Sequence, residues 1–472
     1  MSKRHKIVLY NPKAVFYDMP LALLAIGSCF NEQEFEIIII DGRMSESAHE
    51  KVLTAIEGAV CFGTTVLTGK PIEDALEITR KVKKSSPSIP TIWGGWHTSL
   101  FPTQPLEEDL SIDITVQGQG EITFQKVVKS IIEQSSLDDV KGICFKNKQG
   151  EIIKNPPRVL TDMDDLAEVN YELIEVEDYF KKKGQRQFDF ISSIGCFYRC
   201  TFCADPYVFG RKFSAISPTK MLDIFEKNYK KYRFNSINFQ DETFFTYRDR
   251  VVEMAKGLID RNIKIKWAAT MRADQGDRLS EEDFALLAKS GLFRVLVGVE
   301  SGSQEMMDWL KKDIKIEQVL ATADKCKKAN IGIQFPFIVG FPEESLKAFN
   351  SSINFAIKLS NLSPKFKPVI FYYKPYPGTP ITDDLIKNGY QMPQSMKEWS
   401  HFDYVSNSGP WVTKERKKEV ERLKFYIRMA KTQHKLGLPL KWVATKRMKN
   451  KYFSFPLEQL VIEKVKPIQR LS

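Results

Sequence analysis

Apolar and polar positions divide the chain into two series of short β-branched runs, each followed by a stretch of helical periodicity. In the first series, residues 6–11, 36–41, 59–65, 91–95 and 112–117 predict five strands. These runs are nearly continuous in apolar residues, as expected of strands covered on both faces. Amphipathic segments 21–31, 47–57, 71–84 and 121–133 predict the helices between them. Regular alternation of the two predicts βαβ units on a parallel sheet. The carboxyl ends of such strands form the ligand crevice. There the chain places Asn11-Pro12, Thr64-Thr65, Gly94-Gly95 with His97, and Gly118 with Gly120-Glu121. Each feature alone reads as turn chemistry, and His97 alone as a hydrogen-bonded structural histidine. Their recurrence at successive strand ends is what points to a ligand.

A hairpin pattern follows, with runs 142–146 and 151–154 around an Asn147–Gly150 turn, and leads through Asn155-Pro156-Pro157 into an acidic linker. The second series predicts strands at 188–193, 236–239, 265–269, 295–299, 333–339 and 368–373, with helices at 218–230, 248–261, 280–289, 316–329 and 346–359. Six strands alternating with helices predict a partial (β/α)6 barrel, whose working groups gather after the strands. Beyond residue 400 the pattern becomes a basic helical tail over 414–436 and beyond, with Trp411, Trp442 and Phe453 as apolar anchors. The fold class is therefore α/β. The expected domains are 1–140 (Rossmann-like), 141–185 (hairpin and linker), 186–400 (partial barrel) and 401–472 (mainly helical and basic).

Composition changes this picture little: 43% hydrophobic and 27% charged residues describe a globular protein with ample core. No run of eighteen apolar residues occurs and no secretory cleavage pattern follows the basic N-terminus, so the expected location is the cytoplasm, without a transmembrane segment. The net charge of +11 comes from lysines spread along the chain and reads as a solvated surface. Only the tail clusters basic residues with aromatics, which leaves RNA modification or nucleic-acid binding as a minor alternative.

Chemistry enters with Cys196, Cys200 and Cys203, three thiols spaced C-x3-C-x2-C after the first strand of the second series. Three thiolates hold three irons of a 4Fe-4S cubane and leave the fourth iron open, whereas electron-transfer ferredoxins close the cluster with four cysteines. Structural zinc wants a fourth Cys or His nearby, and none is present. A disulfide scaffold does not fit a long chain with seven cysteines. Cys29, Cys61, Cys144 and Cys326 sit on apolar segments and read as small core residues. Neither a G-x-G-x-x-G nor a Walker loop follows a strand, so dinucleotide and nucleoside triphosphate sites are not indicated.

On these motifs the chain resembles the radical S-adenosylmethionine (SAM) enzymes that carry an amino-terminal cobalamin-binding domain, the class B methyltransferase-like group, over about residues 1–400. The resemblance implies a 4Fe-4S cluster on Cys196, Cys200 and Cys203, with Phe202 packed near the adenine of SAM. It implies that Asp241 or Glu242, in Gln240-Asp241-Glu242, holds the methionine ammonium. Arg272 would meet the carboxylate, and Glu300 with Ser301 the ribose. Thr64, Thr65, Gly94, Gly95, His97, Gly118, Gly120 and Glu121 would line the cobalamin. The D-x-H-x-x-G motif that supplies a histidine to cobalt is absent, and Asp41-Gly42-Arg43 stands after the second strand instead. The implied reaction is methyl transfer to an unactivated carbon of a small molecule, with an electron donor such as flavodoxin or ferredoxin. Cyclisation, dehydration or rearrangement without methyl transfer is the alternative. Tyr372, Tyr373, Tyr376 and Tyr404 read equally as pocket lining and as structural tyrosines. Substrate and oligomeric state are left open.

Overall fold

The computed structural model describes the chain except residues 1–3, 15, 403–408, 432–437, 451, 454–455 and 460–472. It divides into two compact units. One comprises Met1–Tyr198, Cys203–Glu242 and Tyr376–Asp403; the other comprises Arg199–Phe202, Thr243–Pro375 and Tyr404–Ser472.

The first unit is built on a sheet of seven strands: β1 (His5–Asn11), β2 (Phe35–Asp41), β3 (Ala59–Thr65), β4 (Thr91–Gly94), β5 (Ile114–Val116), β6 (Ile143–Lys146) and β7 (Ile152–Lys154), in the order β2-β1-β3-β4-β5-β6-β7. β1 to β5 run parallel. One face buries Ile7, Leu9, Cys61 and Ile92 against Phe124, Val127 and Val128, while the other buries Val8, Tyr10 and Phe62 against Val52, Ile78 and Val82. That two-sided burial is why these strands read as continuous apolar runs. The hairpin expected in the linker joins the sheet, since β6 pairs antiparallel with β5 and extends its edge. The helix expected over 21–31 stops at Leu21–Gly27, where the Ser28 hydroxyl turns back onto the Leu24 carbonyl.

The same unit contains β8 (Gln187–Phe190) and β11 (Ser236–Phe239), which pair in parallel, and the antiparallel pair β9 (Ser193–Gly195) and β10 (Phe213–Ala215). The expected strand over 188–193 thus breaks into two. The break turns the chain into the cysteine loop, and Gly195 makes it possible: at φ +80° a Cβ would overlap the Lys212 carbonyl oxygen.

The second unit holds four parallel strands, β12 (Lys266–Arg272), β13 (Leu292–Gly298), β14 (Gly332–Val339) and β15 (Phe366–Tyr372), each paired with the next. Helices Glu281–Lys289, Ile316–Lys328 and Leu346–Leu362 follow the first three strands, and Lys414–Ala430 begins the tail. Among the described residues no helix is long and apolar enough to cross a membrane.

Candidate functional site

In the first sheet the strand order reverses between β1 and β3, and in open parallel sheets the crevice at the carboxyl ends of such a pair is where ligands bind. A cavity of about 470 Å³ opens there. Its wall includes Thr64, Thr65, Gly94, Gly95, Gly118, Gly120 and Glu121. Across it stand Phe190, Ile191 and Ile194 from the β8–β9 region, with Gln240 and Glu242 from the loop after β11. The lining is mainly apolar with a few polar groups, as expected for an organic cofactor.

Backbone conformation favours glycine at two of these positions. Gly95 has φ +98°, and a Cβ would lie 2.8 Å from the Thr65 hydroxyl and 2.9 Å from the Val66 amide nitrogen. Gly118 has φ +66° with no atom within 4 Å of a Cβ, so bare backbone faces the cavity and is open to a large ligand. A flat macrocycle needs such backbone approach, and the cradle fits cobalamin. Thr64 donates to the Tyr10 carbonyl at 3.0 Å, which fixes the end of β3.

His97 is not in the cavity wall. It is fully buried behind the Gly94-Gly95 turn, with Nδ1 3.3 Å from the Thr68 hydroxyl, its ring against Phe101 and Nε2 without a partner. Burial lowers its pKa to about 4, so it is neutral. The expected cofactor-facing histidine is a core residue here.

The acidic motif after β11 separates into two roles. Asp241 turns away from the cavity and accepts from the Ser192 amide at 3.1 Å, the Ser192 hydroxyl at 2.7 Å and the Ser193 hydroxyl at 2.5 Å. It holds the β8–β9 turn. Glu242 faces the cavity, and burial together with the nearby Asp205 raises its pKa well above the carboxylate range. Asp205 is a residue the sequence did not single out. It is 5% exposed, neither carboxylate oxygen has a partner, and burial raises its pKa to about 7. Its only sequence signal was a carboxylate two residues after the last motif cysteine.

In the second unit, residues expected at separate strand ends come together around Cys200. The Arg272 guanidinium donates from Nη1 to the Cys200 Sγ at 3.9 Å, from Nη2 to the Lys312 carbonyl at 2.7 Å and from Nε to Asp274 at 2.9 Å. Lys312, also missed in the sequence, pairs through Nζ with Glu300 Oε1 at 2.8 Å and lies 5.9 Å above the Phe202 ring. Both members of that pair are buried. Glu300 adopts φ +65° beyond β13, held because its amide donates to the Pro336 carbonyl and its own carbonyl accepts from Ile338. Ser301 meets Ser352, hydroxyl to hydroxyl at 3.0 Å, and so anchors the loop. Phe202 packs on Phe341, which continues through Tyr373 to Trp411, whose indole donates to the Gly340 carbonyl.

The tyrosines expected at the last strand have structural partners. Tyr372 donates to Glu421 at 3.0 Å, Tyr373 is buried among aromatics and Tyr376 packs on Phe402. Tyr404 lies outside the described residues. Among the described residues no three His, Cys, Asp or Glu side chains are gathered as a metal site; Cys196, Cys200 and Cys203 offer thiols, and soft thiolates suit iron–sulfur clusters. Cys29 and Cys61 have their thiols pushed up to about 12 by burial, which fits their reading as inert core residues.

Residues 8–128 match the B12 binding domain model and residues 190–356 match the radical SAM superfamily model. An uncharacterized methyltransferase of Pyrococcus horikoshii is 24% identical over 414 residues, covering 87% of this chain and 88% of that protein. The anaerobic magnesium-protoporphyrin IX monomethyl ester cyclase of Rubrivivax gelatinosus is 25% identical over 331 residues, covering 68% of this chain and 58% of the cyclase. Among solved structures, the radical S-adenosylmethionine methyltransferase TsrM from Kitasatospora setae, with cobalamin and a [4Fe-4S] cluster bound, superposes with a TM-score of 0.70 at 16% identity, covering 84% of each chain.

Proposed function

Because this chain is a radical SAM enzyme with an amino-terminal B12-binding domain, whose cofactors are a 4Fe-4S cluster, SAM and cobalamin, we propose that it is a methyltransferase acting on an unactivated carbon of a small molecule. The observation that carries this reading is the single cavity wall that joins the glycine-lined ends of the first sheet to Glu242. With the cofactors bound, Cys196, Cys200 and Cys203 would hold the cluster and the glycine-lined strand ends the corrin, and the cofactors together would supply hydrogen-atom abstraction from the substrate and a methyl group in its place. The protein's part is to orient the reactants and keep water out.

Cys196, Cys200 and Cys203 are the cluster ligands in this reading. Glu242 is the acceptor for the methionine ammonium, whose positive charge would favour its ionised form, because Asp241 is committed to Ser192 and Ser193. Thr65, Gly95 and Gly118 receive the corrin along bare backbone, and Ile191 and Ile194 present an apolar wall that excludes water. Glu300 meets the ribose, with Lys312 neutralising its charge. The electron donor is a small reductant of the flavodoxin or ferredoxin kind.

The test is anaerobic reconstitution with iron, sulfide and cobalamin, followed by turnover with methyl-labelled SAM on candidate substrates. Product carrying the label, alongside 5′-deoxyadenosine, is the expected result; a protein that retains no corrin sinks the model. Replacing Cys196, Cys200 or Cys203 by Ala is expected to abolish iron–sulfur absorbance and 5′-deoxyadenosine formation together. The cyclase relative favours a second reading, a radical cyclisation, dehydration or rearrangement with no methyl transfer, for which 5′-deoxyadenosine forms while the product stays unlabelled.

A further inference from the structure

Resting on the cluster reading above, we propose that Arg272 is a positioning residue that sets the reduction potential of the cluster through its hydrogen bond to Cys200. The family resemblance put Arg272 opposite the SAM carboxylate. In the fold the residue is 6% exposed and its three side-chain nitrogens point to three different groups: Nη1 to the Cys200 sulfur at 3.9 Å, Nη2 to the Lys312 carbonyl at 2.7 Å and Nε to Asp274 at 2.9 Å. A guanidinium is a rigid planar fork, so fixing two of its edges aims the third.

The lock is built from both ends of the residue. Arg272 is the last residue of β12, and its amide donates to the Gln275 side chain at 3.0 Å, while Gln275 in turn donates to the Thr243 hydroxyl at 2.7 Å. Lys312, whose carbonyl receives the guanidinium, is itself tied by its ammonium to Glu300 at 2.8 Å. The Cys200 backbone is held by its neighbour, since the Thr201 amide donates to the Leu310 carbonyl at 3.0 Å, two residues before Lys312. Donor and sulfur are therefore fixed to the same short segment, Leu310 to Lys312.

One electron from the external reductant takes the cluster from its 2+ to its 1+ state, and part of the added charge resides on the thiolate sulfurs. A hydrogen bond and a buried positive charge at one sulfur stabilise the reduced form more than the oxidised form and raise the potential. The low dielectric around Cys200 strengthens the effect.

The test is an EPR-monitored redox titration of the reconstituted full chain, without SAM, for the parent and for Arg272→Leu, Arg272→Lys and Arg272→Gln. Arg272→Leu is expected to lower the equilibrium constant for reduction about tenfold, a shift of about 59 mV to more negative potential for one electron. Arg272→Lys is expected to recover most of that shift, because it restores a cationic donor. An unchanged potential in Arg272→Leu with full iron and sulfide content overturns the proposal. If the Leu variant assembles no cluster, Arg272→Gln decides: its shorter, uncharged side chain cannot carry a donor to the Cys200 sulfur, so the potential is expected to fall, and one equal to the parent's overturns the proposal. A parent chain that assembles no cluster overturns the cluster reading itself, which is a separate result from an intact cluster with an unmoved potential.

Discussion

At the scale of single residues, two buried titratable groups, Asp205 and His97, respond to pH with opposite sign. Burial raises the Asp205 carboxyl from 3.8 to about 7, whereas in the unfolded chain it ionises near its ordinary value. Between those values the folded state holds more protons, so stability falls as pH rises, and this contribution is lost above about 7. Asp205→Asn is therefore expected to raise the melting temperature of the cofactor-free protein at pH 8 and to leave it nearly unchanged near pH 4. Equal shifts at both pH values would show that Asp205 is ionised and satisfied in the fold. His97 runs the other way. Its pKa falls to about 4, so its contribution is present above the unfolded value and disappears as pH drops toward 4. These assignments mark a limit of sequence reading. That Gly94, Gly95 and Glu242 lie at strand ends and line the cavity was legible, because backbone freedom and the end of an apolar run mark such places. The burial of His97 and the isolation of Asp205 depend on packing that local pattern does not encode.

At the scale of elements, the turn after β4 carries a prediction that separates a cofactor role from a folding role. Gly95→Ala adds a Cβ at 2.8 Å from Thr65 and 2.9 Å from Val66, in a left-handed conformation that alanine resists. The turn must shift into the cavity wall, so cobalamin affinity measured by absorbance titration is expected to fall by about tenfold or more, with the cluster still assembling. Unchanged corrin affinity would place the cofactor away from this wall. A second element-level link lies at β8, where buried Asp189 accepts from Lys183 and, at 2.7 Å, from the Met19 amide, tying the loop before the first helix to that strand. Lys183→Met leaves Asp189 buried without its cation, and a loss of about 3–5 kcal/mol in chemical denaturation is expected; a change below 1 kcal/mol would mean that Asp189 protonates without cost to the fold. The strands themselves were readable from sequence. The expected run 59–65 coincides with β3, and 236–239 with β11, because two-sided burial writes continuous apolar runs. β12 extends to Arg272, past the expected end at residue 269, since Thr270 and Arg272 interrupt the apolar pattern while the ladder to β13 continues. That extension is what brings Arg272 to Cys200, and no periodicity could announce it.

At the scale of the whole molecule, the chain order and the packing order differ. Residues 376–403 belong to the first unit, where Met392, Met396 and Trp399 complete the core formed by Val66, Trp93 and Leu106. Polar contacts seal the same seam: the Met396 amide donates to Glu108 at 2.8 Å, and the Ser400 hydroxyl to Glu73 at 3.0 Å. The return was invisible in the sequence because these contacts span 288 and 327 positions, and the segment's own pattern is only a short helix, Met396–Ser400. It follows that the B12-binding residues do not complete their core without chain that comes after the radical SAM strands. Trp399 is 1% exposed and packs on Phe101 at 4.7 Å, so Trp399→Ala is expected to cost about 3–5 kcal/mol. The loss should also weaken cobalamin retention, because Phe101 in turn supports His97 behind the Gly94-Gly95 turn. Urea denaturation with and without bound cobalamin checks both effects. If Trp399→Ala lowers stability but corrin affinity stays at the parent value, the returning segment is a structural seal alone and the cavity wall is set entirely by the first sheet.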